Sequence, residues 1–156
     1  MQEDDQRFIR ATIEIARNAR ERGNHPFGAL LVDEDGQILI EAENTVVLDR
    51  DPTGHAEINL IRRAASRYDS KSLTKCTIYA STEPCPMCAG ALFWANAKRV
   101  VFGLSQEGLY KMIGWDTEDV LYLPCREIFG RGQRSIEVVG PILEDEALEV
   151  HKGFWN

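Results

Sequence analysis

Ser81-Thr82-Glu83-Pro84-Cys85-Pro86-Met87-Cys88-Ala89-Gly90 is the stretch on which the reading of this chain turns. Two cysteines three positions apart lie side by side when the residues between them begin a helix. Pro84 and Pro86 favour such a beginning, because the first turn of a helix has no use for the N–H that proline lacks. Thiolates placed there face the positive end of the helix dipole, which lowers their pKa and readies them for metal. His55, in His55-Ala56-Glu57, is the candidate third ligand. One nitrogen and two sulfurs leave a tetrahedral position for water, the arrangement of a catalytic rather than a structural Zn²⁺. One such ion per chain is expected.

A regular helix would put positions 55 and 57 on nearly opposite sides. They can share a site only if it lies over the helix end. Asp51-Pro52-Thr53-Gly54 is turn chemistry and places His55 at such an end, so two helix N-termini should converge on one metal. Two thiolates neutralise the ion, and metal polarisation brings the pKa of bound water to roughly 7. Glu57, close by but not a ligand, is then the candidate to take that proton and hand it to a leaving amine. His-x-Glu followed by Pro-Cys-x-x-Cys is the zinc deaminase pattern, complete here at His55, Glu57, Pro84, Cys85 and Cys88. A structural zinc knuckle is the competing reading. It needs a fourth protein ligand and gives Glu57 no role.

A chain of 156 residues suits one domain with a real core. Acidic residues outnumber basic ones 25 to 18, and the formal charge of −7 counts against a nucleic-acid partner. Of four cysteines two belong to the motif; Cys76 and Cys125 read as buried free thiols of a reducing compartment. Met1-Gln2-Glu3-Asp4-Asp5-Gln6-Arg7 is no hydrophobic leader, and no run reads as a membrane span or lipidation signal, so a cytoplasmic location is expected.

Taken in order, residues 3–22 predict a helix with Phe8, Ile9, Ile13 and Ala16 as its apolar stripe. Residues 27–32 and 37–40 flank Asp33-Glu34-Asp35-Gly36 and predict a hairpin, its first strand apolar throughout and therefore buried on both faces. A helix is expected from His55 to about Tyr68, a strand over 76–81, and a helix from Pro86 to about Asn96. The last is apolar nearly all round and should be buried. Strands over 99–103 and 135–139 and a closing helix from Leu143 to about Lys152 complete the pattern. Strands alternating with helices imply parallel pairing by crossover.

These residues resemble the cytidine deaminase superfamily, most closely its guanine deaminase and tRNA adenosine deaminase branch. Asp51-Pro52-Thr53-Gly54-His55-Ala56-Glu57 and Glu83-Pro84-Cys85-Pro86-Met87-Cys88-Ala89-Gly90-Ala91 carry the likeness, which covers about residues 5–103 well. It implies an α/β fold, a three-layer α/β/α sandwich around a five-stranded mixed sheet, and a homodimer. Pro86 and Phe93-Trp94-Ala95 resemble the guanine deaminase form, as does Ile113-Gly114-Trp115-Asp116. By that likeness Asp116 becomes a second catalytic candidate, and Asn44 and Phe27 become base-binding candidates. The family can also exchange its C-terminal segment between subunits and close a partner's pocket with a terminal aromatic. Phe154 or Trp155 would be that lid; anchoring of the last helix to the core is the alternative.

Hydrolytic deamination of a small nucleobase is the function these observations favour, guanine first, with cytosine or amino-s-triazine rings also admitted. The backbone N–H groups near Ala56 and Cys85 are candidates to orient the attacking oxygen. Phe27, Trp94 and Trp115 are candidates to sandwich the ring, with core packing as the competing role of each. A tRNA adenosine substrate would need a basic channel, for which only Arg126, Arg131 and Arg134 are available. A zinc-stabilised binding domain without catalysis is the reading from another class. No membrane partner is expected.

Overall fold

The computed structural model describes residues 2–155; Met1 and Asn156, the latter closing the terminal aromatic run, lie outside the described residues. The most apolar strand decides the layering. β1 (Gly28–Val32) is buried along its whole length, as its unbroken run of apolar residues requires. It pairs antiparallel with β2 (Ile38–Glu43) on one side and with β3 (Thr77–Thr82) on the other. The β1–β2 turn is held by Asp33 Oδ1, which accepts the N–H groups of Asp35 and Gln37, each at 2.9 Å. β3 then runs parallel to β4 (Arg99–Leu104), and β4 to β5 (Glu137–Val139), giving the mixed order β2-β1-β3-β4-β5.

Successive strand residues point to opposite faces, so each face buries its own core. Leu31, Ile40, Ile78, Val100 and Phe102 meet α2 (Ala56–Arg67), the short α3 (Ser70–Leu73), α4 (Pro86–Trp94) and α6 (Cys125–Phe129) through Leu60, Leu73, Leu92 and Phe129. Leu30, Val32, Tyr79 and Val101 meet α1 (Gln2–Glu21), α5 (Gln106–Ile113) and α7 (Glu144–Glu149) through Ile9, Ile13, Leu109 and Ala147. This is the three-layer α/β/α sandwich. The apolar stripe of α1, from Phe8 to Ala16, is buried as the spacing predicts.

Three local features depart from that pattern or add to it. β2 continues to Glu43, because Ala42 on it packs into the core. α3 follows α2 directly, started by Asp69, whose side chain accepts the Ser72 N–H at 2.8 Å. α4 is not buried all round: it stops at Trp94, which is 80% exposed.

α1 is seated by two features that hydrophobic period does not reveal. Asp5 is buried against the sheet, where Arg99 binds both its oxygens at 3.0 and 2.7 Å and the Tyr79 hydroxyl donates to it at 2.7 Å. Burial pushes the Asp5 carboxyl up, but the hydrogen bonds from Arg99 and Tyr79 outweigh it and hold it below the usual carboxylate range. At the other end, β1 starts so close to α1 that a Cβ on Gly28 would lie 2.4 Å from Thr12 O and 2.8 Å from Ile15 Cβ. Gly28→Ala is therefore expected to cost about 2 kcal/mol and roughly 4–8 °C in Tm. A thermal melt unchanged from wild type would contradict this packing.

Candidate active site

Two helices begin at one place. Asp51 Oδ1 accepts the backbone N–H of Thr53 at 2.9 Å and its hydroxyl at 2.6 Å, closing the turn that brings His55 to the N-cap of α2. Asn59, one turn into α2, donates to Glu43 O at 2.8 Å and Thr45 Oγ1 at 2.9 Å, tying the helix start to the end of β2. β3 delivers the chain to Cys85, the N-cap of α4, with Pro86 in the first turn. An N-cap side chain normally turns back to its own helix. Neither His55 nor Cys85 does so. They meet each other instead.

His55 Nδ1 lies 3.5 Å from Cys85 Sγ and 3.5 Å from Cys88 Sγ. All three donor atoms are within 4.8 Å of one another, the one such group of three or more among the described residues. Zinc about 2.3 Å from sulfur and about 2.0 Å from nitrogen in a tetrahedron would separate nitrogen from sulfur by roughly 3.6 Å. The cluster has that edge length and the donor chemistry zinc takes, so the residues fit the ion. Among the described residues no fourth Cys, His, Asp or Glu joins them.

The three donors share protons unevenly. The hydrogen bond from Cys88 is the main force pushing the Cys85 thiol down to about 4; burial opposes it, and His55 assists. Cys88 is pushed up by the same bond and by burial, and His55 is raised chiefly by its bond to Cys85. A dication would displace these shared protons and hold both sulfurs as thiolates. Glu57, 6% exposed, stands beside them without being one of them. Burial first, and the Cys85 charge second, push its carboxyl up to about 7, where a group can both take and return a proton.

These groups open into a cavity of about 410 Å³. Six of the residues singled out from the sequence line it: Phe27, Asn44, His55, Glu57, Cys85 and Trp155. Cys88 is fully buried behind Cys85, and Ala56, also fully buried, brings only its backbone to the first turn of α2. Asn44 Oδ1 accepts the Val46 N–H at 3.0 Å, which identifies the other amide atom of this cavity-lining residue as the NH₂ donor.

Four candidates stand elsewhere. Trp94 points to solvent from the last residue of α4. Trp115, 45% exposed, packs on Tyr110 and Tyr122 with centroids 5.5 and 5.1 Å away. Asp116 is exposed beside it and outside the cavity lining, after Gly114 caps α5 with φ 96°. Asp119, three residues on, lines the cavity where Asp116 does not. Phe154 lies outside the lining, wedged between His25 and Trp155. The terminal segment is fastened to its own chain, Arg20 Nη1 donating to Val150 O at 2.8 Å and Lys152 O at 2.7 Å. Trp155 thus both anchors the end and walls the cavity of this chain.

Sequence reasoning missed other lining groups. His25 reaches the cavity through an irregular turn, where no period points to it. Glu83 was in plain view within the motif. Its two oxygens accept the first N–H groups of α5 and α6, Gln106 at 3.0 Å and Cys125 at 2.9 Å. Gln106 in turn binds Pro84 O, Leu123 O and Leu123 N. Lysine and arginine are absent from the lining among the described residues. Arg126 is spent on Val138 O and Gly140 O, each at 3.1 Å, and Arg134 on Asn96 Oδ1 at 2.9 Å and Phe93 O.

Residues 2–104 match the cytidine and deoxycytidylate deaminase zinc-binding region. The chain is 44% identical over 160 residues to a protein of Schizosaccharomyces pombe (strain 972 / ATCC 24843) named probable cytosine deaminase, spanning 100% of this chain and 95% of that one. It is 41% identical over 103 residues to the tRNA-specific adenosine deaminase of Haemophilus influenzae, spanning 66% of this chain and 60% of that enzyme. The solved structure of a guanine deaminase from Nitrosomonas europaea superposes with a TM-score of 0.75 at 26% identity, covering 91% of this chain and 79% of that one. A zinc-type donor cluster at paired helix starts, in a chain matched to that zinc-binding region over two thirds of its length, places this protein in the cytidine and deoxycytidylate deaminase family, a zinc-dependent aminohydrolase by class.

Proposed function

We propose that this protein hydrolyses the exocyclic amine of a small free nucleobase, releasing ammonia and leaving an oxo group on the ring. The observation that carries the reading is Glu57: a carboxyl buried beside three metal donors, separate from them and facing the cavity. A purely structural zinc site would have no use for a buried acid there. His55, Cys85 and Cys88 hold one zinc ion per chain, which supplies Lewis acidity to the attacking water. Glu57 accepts one proton of that water and gives it to the ring nitrogen, then carries the second, from the hydroxyl now on the ring carbon, to the amine, which leaves as ammonia while the C=O forms. The Asn44 NH₂ donates to an acceptor on the base, and Phe27 and Trp155 offer apolar walls to its faces. The first N–H groups of α2 and α4 are available to orient the oxygen.

Guanine and cytosine are the favoured bases, since each carries an oxo acceptor as well as an amine. The preference for guanine rested on Pro86, Phe93-Trp94-Ala95 and the stretch ending in Asp116, and Asp116 stands outside the cavity lining; a relative 44% identical across this whole chain carries a cytosine name, and about 410 Å³ admits either ring. A tRNA substrate is disfavoured by the net charge of −7, by Asp119 and Glu83 in the lining, and by the engagement of Arg126 and Arg134 within the fold. The unpaired cysteines suit a reducing compartment, the cytoplasm. We assign the exposed face of α4, with Trp94 at its end, to a homodimer contact in which a second copy covers the indole.

Zinc-loaded protein is expected to release ammonia from guanine or cytosine in a panel that also holds adenine and an amino-s-triazine. Glu57→Gln should lower kcat by roughly 10³-fold or more while zinc content stays at that of wild type. Inactivity on all four rings, or a fully active Glu57→Gln, would overturn the reading. Trp94→Lys should shift the protein from dimer to monomer in sedimentation; a wild-type mass unchanged by the substitution would remove α4 from the interface.

A further inference from the structure

His151 is 1% exposed and has no part in the reaction as described above. Its ring touches two walls of the cavity at once. The Trp155 indole N–H donates to His151 Nδ1 at 3.0 Å, and the two rings lie 16° from parallel. On its other side, His151 Nε2 is 3.3 Å from Thr82 Oγ1. Phe27 meets the imidazole nearly edge-on, with centroids 5.2 Å apart. Thr82, Phe27 and Trp155 all face the cavity.

The polarity of this chain of contacts follows from what each atom can do. An indole nitrogen only donates, so Nδ1 is the bare nitrogen. Burial first, and then the Arg20 charge, push His151 down to about 4, so the ring is neutral at neutral pH. A neutral imidazole with a bare Nδ1 carries its proton on Nε2. Nε2–H then donates to Thr82 Oγ1, and the threonine hydroxyl keeps its own proton to give away. Among the described residues that hydroxyl has no other partner, and the space it borders is the cavity.

We infer that His151 is a positioning residue for the substrate: as the Nε2–H tautomer it fixes the C-terminal indole as a wall of the cavity and turns the Thr82 hydroxyl into a hydrogen-bond donor facing the bound ring. With its N–H consumed, Trp155 offers the substrate an apolar face only. Thr82 and Asn44 together present two donors, which suit a base with two acceptors on its edge, as an oxo group beside a ring nitrogen provides. This substrate class rests on the deaminase reading above; the tautomer and the anchoring of Trp155 do not.

The test uses full-length, zinc-loaded, ¹⁵N-labelled protein. Long-range ¹H–¹⁵N spectra distinguish imidazole tautomers, and loss of one set of signals in His151→Gln assigns the ring among the three histidines. A neutral ring protonated on Nε2 is expected; a proton on Nδ1, or an imidazolium at neutral pH, would overturn the inference. Asn places an acceptor near the position of Nδ1, and Gln a donor near that of Nε2. The Trp155 indole N–H, assigned with Trp155→Phe, should stay slow to exchange in His151→Asn and become fast in His151→Gln. Equal exchange in both would contradict the anchoring role. With guanine and cytosine as probes, Thr82→Val should raise KM about five- to tenfold and leave kcat within about twofold. An unchanged KM on the base turned over would remove the donor role of Thr82. Should none of the four rings of the panel react, the deaminase reading fails, while tautomer and exchange still decide the role of His151.

Discussion

The site depends on the meeting of two helix N-termini whose N-cap side chains face each other instead of their own helices. Parallel crossovers put helix starts at the C-terminal ends of strands, and β3 leads into α4 in this way. The start of α2 is brought to the same place by the loop after β2, bolted down through Asn59, Thr45 and Gly54. His55 and Cys85 then lie at the positive ends of two helix dipoles. That field favours thiolate over thiol and supports the collection of sulfur charge that a dication requires.

A carboxyl is expensive in such surroundings. Burial pushes Glu57 from 4.5 up to about 7, a standing bias against its charged form. Such a group has a use beside a positive ion and a substrate that exchanges protons. The same economy of polar groups runs around the cavity. Glu83 and Gln106 consume their capacity on backbone groups of α5, α6 and the loop before α6, so they build the wall and leave recognition to Asn44 and Thr82.

Much of this was legible in the sequence because it is local. Cysteines spaced for one helix turn, prolines at its start and a turn before His55 each specify geometry within a few residues. The unbroken apolar run of β1 announced a strand covered on both faces, and helices seal it from each side. What was not legible depends on distant partners. Asp116 and Asp119 differ only by where the chain goes after Gly114, whose positive φ no period foretells. Trp94 satisfies an apolar pattern while standing in solvent at a helix end. His151 is an ordinary polar residue until Trp155, four positions on, and Thr82, across the fold, are seen on either side of it. Glu83 was overlooked because its two N–H partners lie 23 and 42 residues away.

The most direct test of the account is the metal's own coordination sphere, read by zinc X-ray absorption on the full-length protein together with its metal content. One zinc per chain is expected, with two sulfurs at about 2.3 Å and two light atoms at about 2.0 Å, one from His55 and one from solvent. Exchange of a light-atom scatterer when a competing anion is added would mark the position that protein does not fill. A sphere of four protein ligands that no small molecule can enter, or a sulfur count other than two, would contradict it.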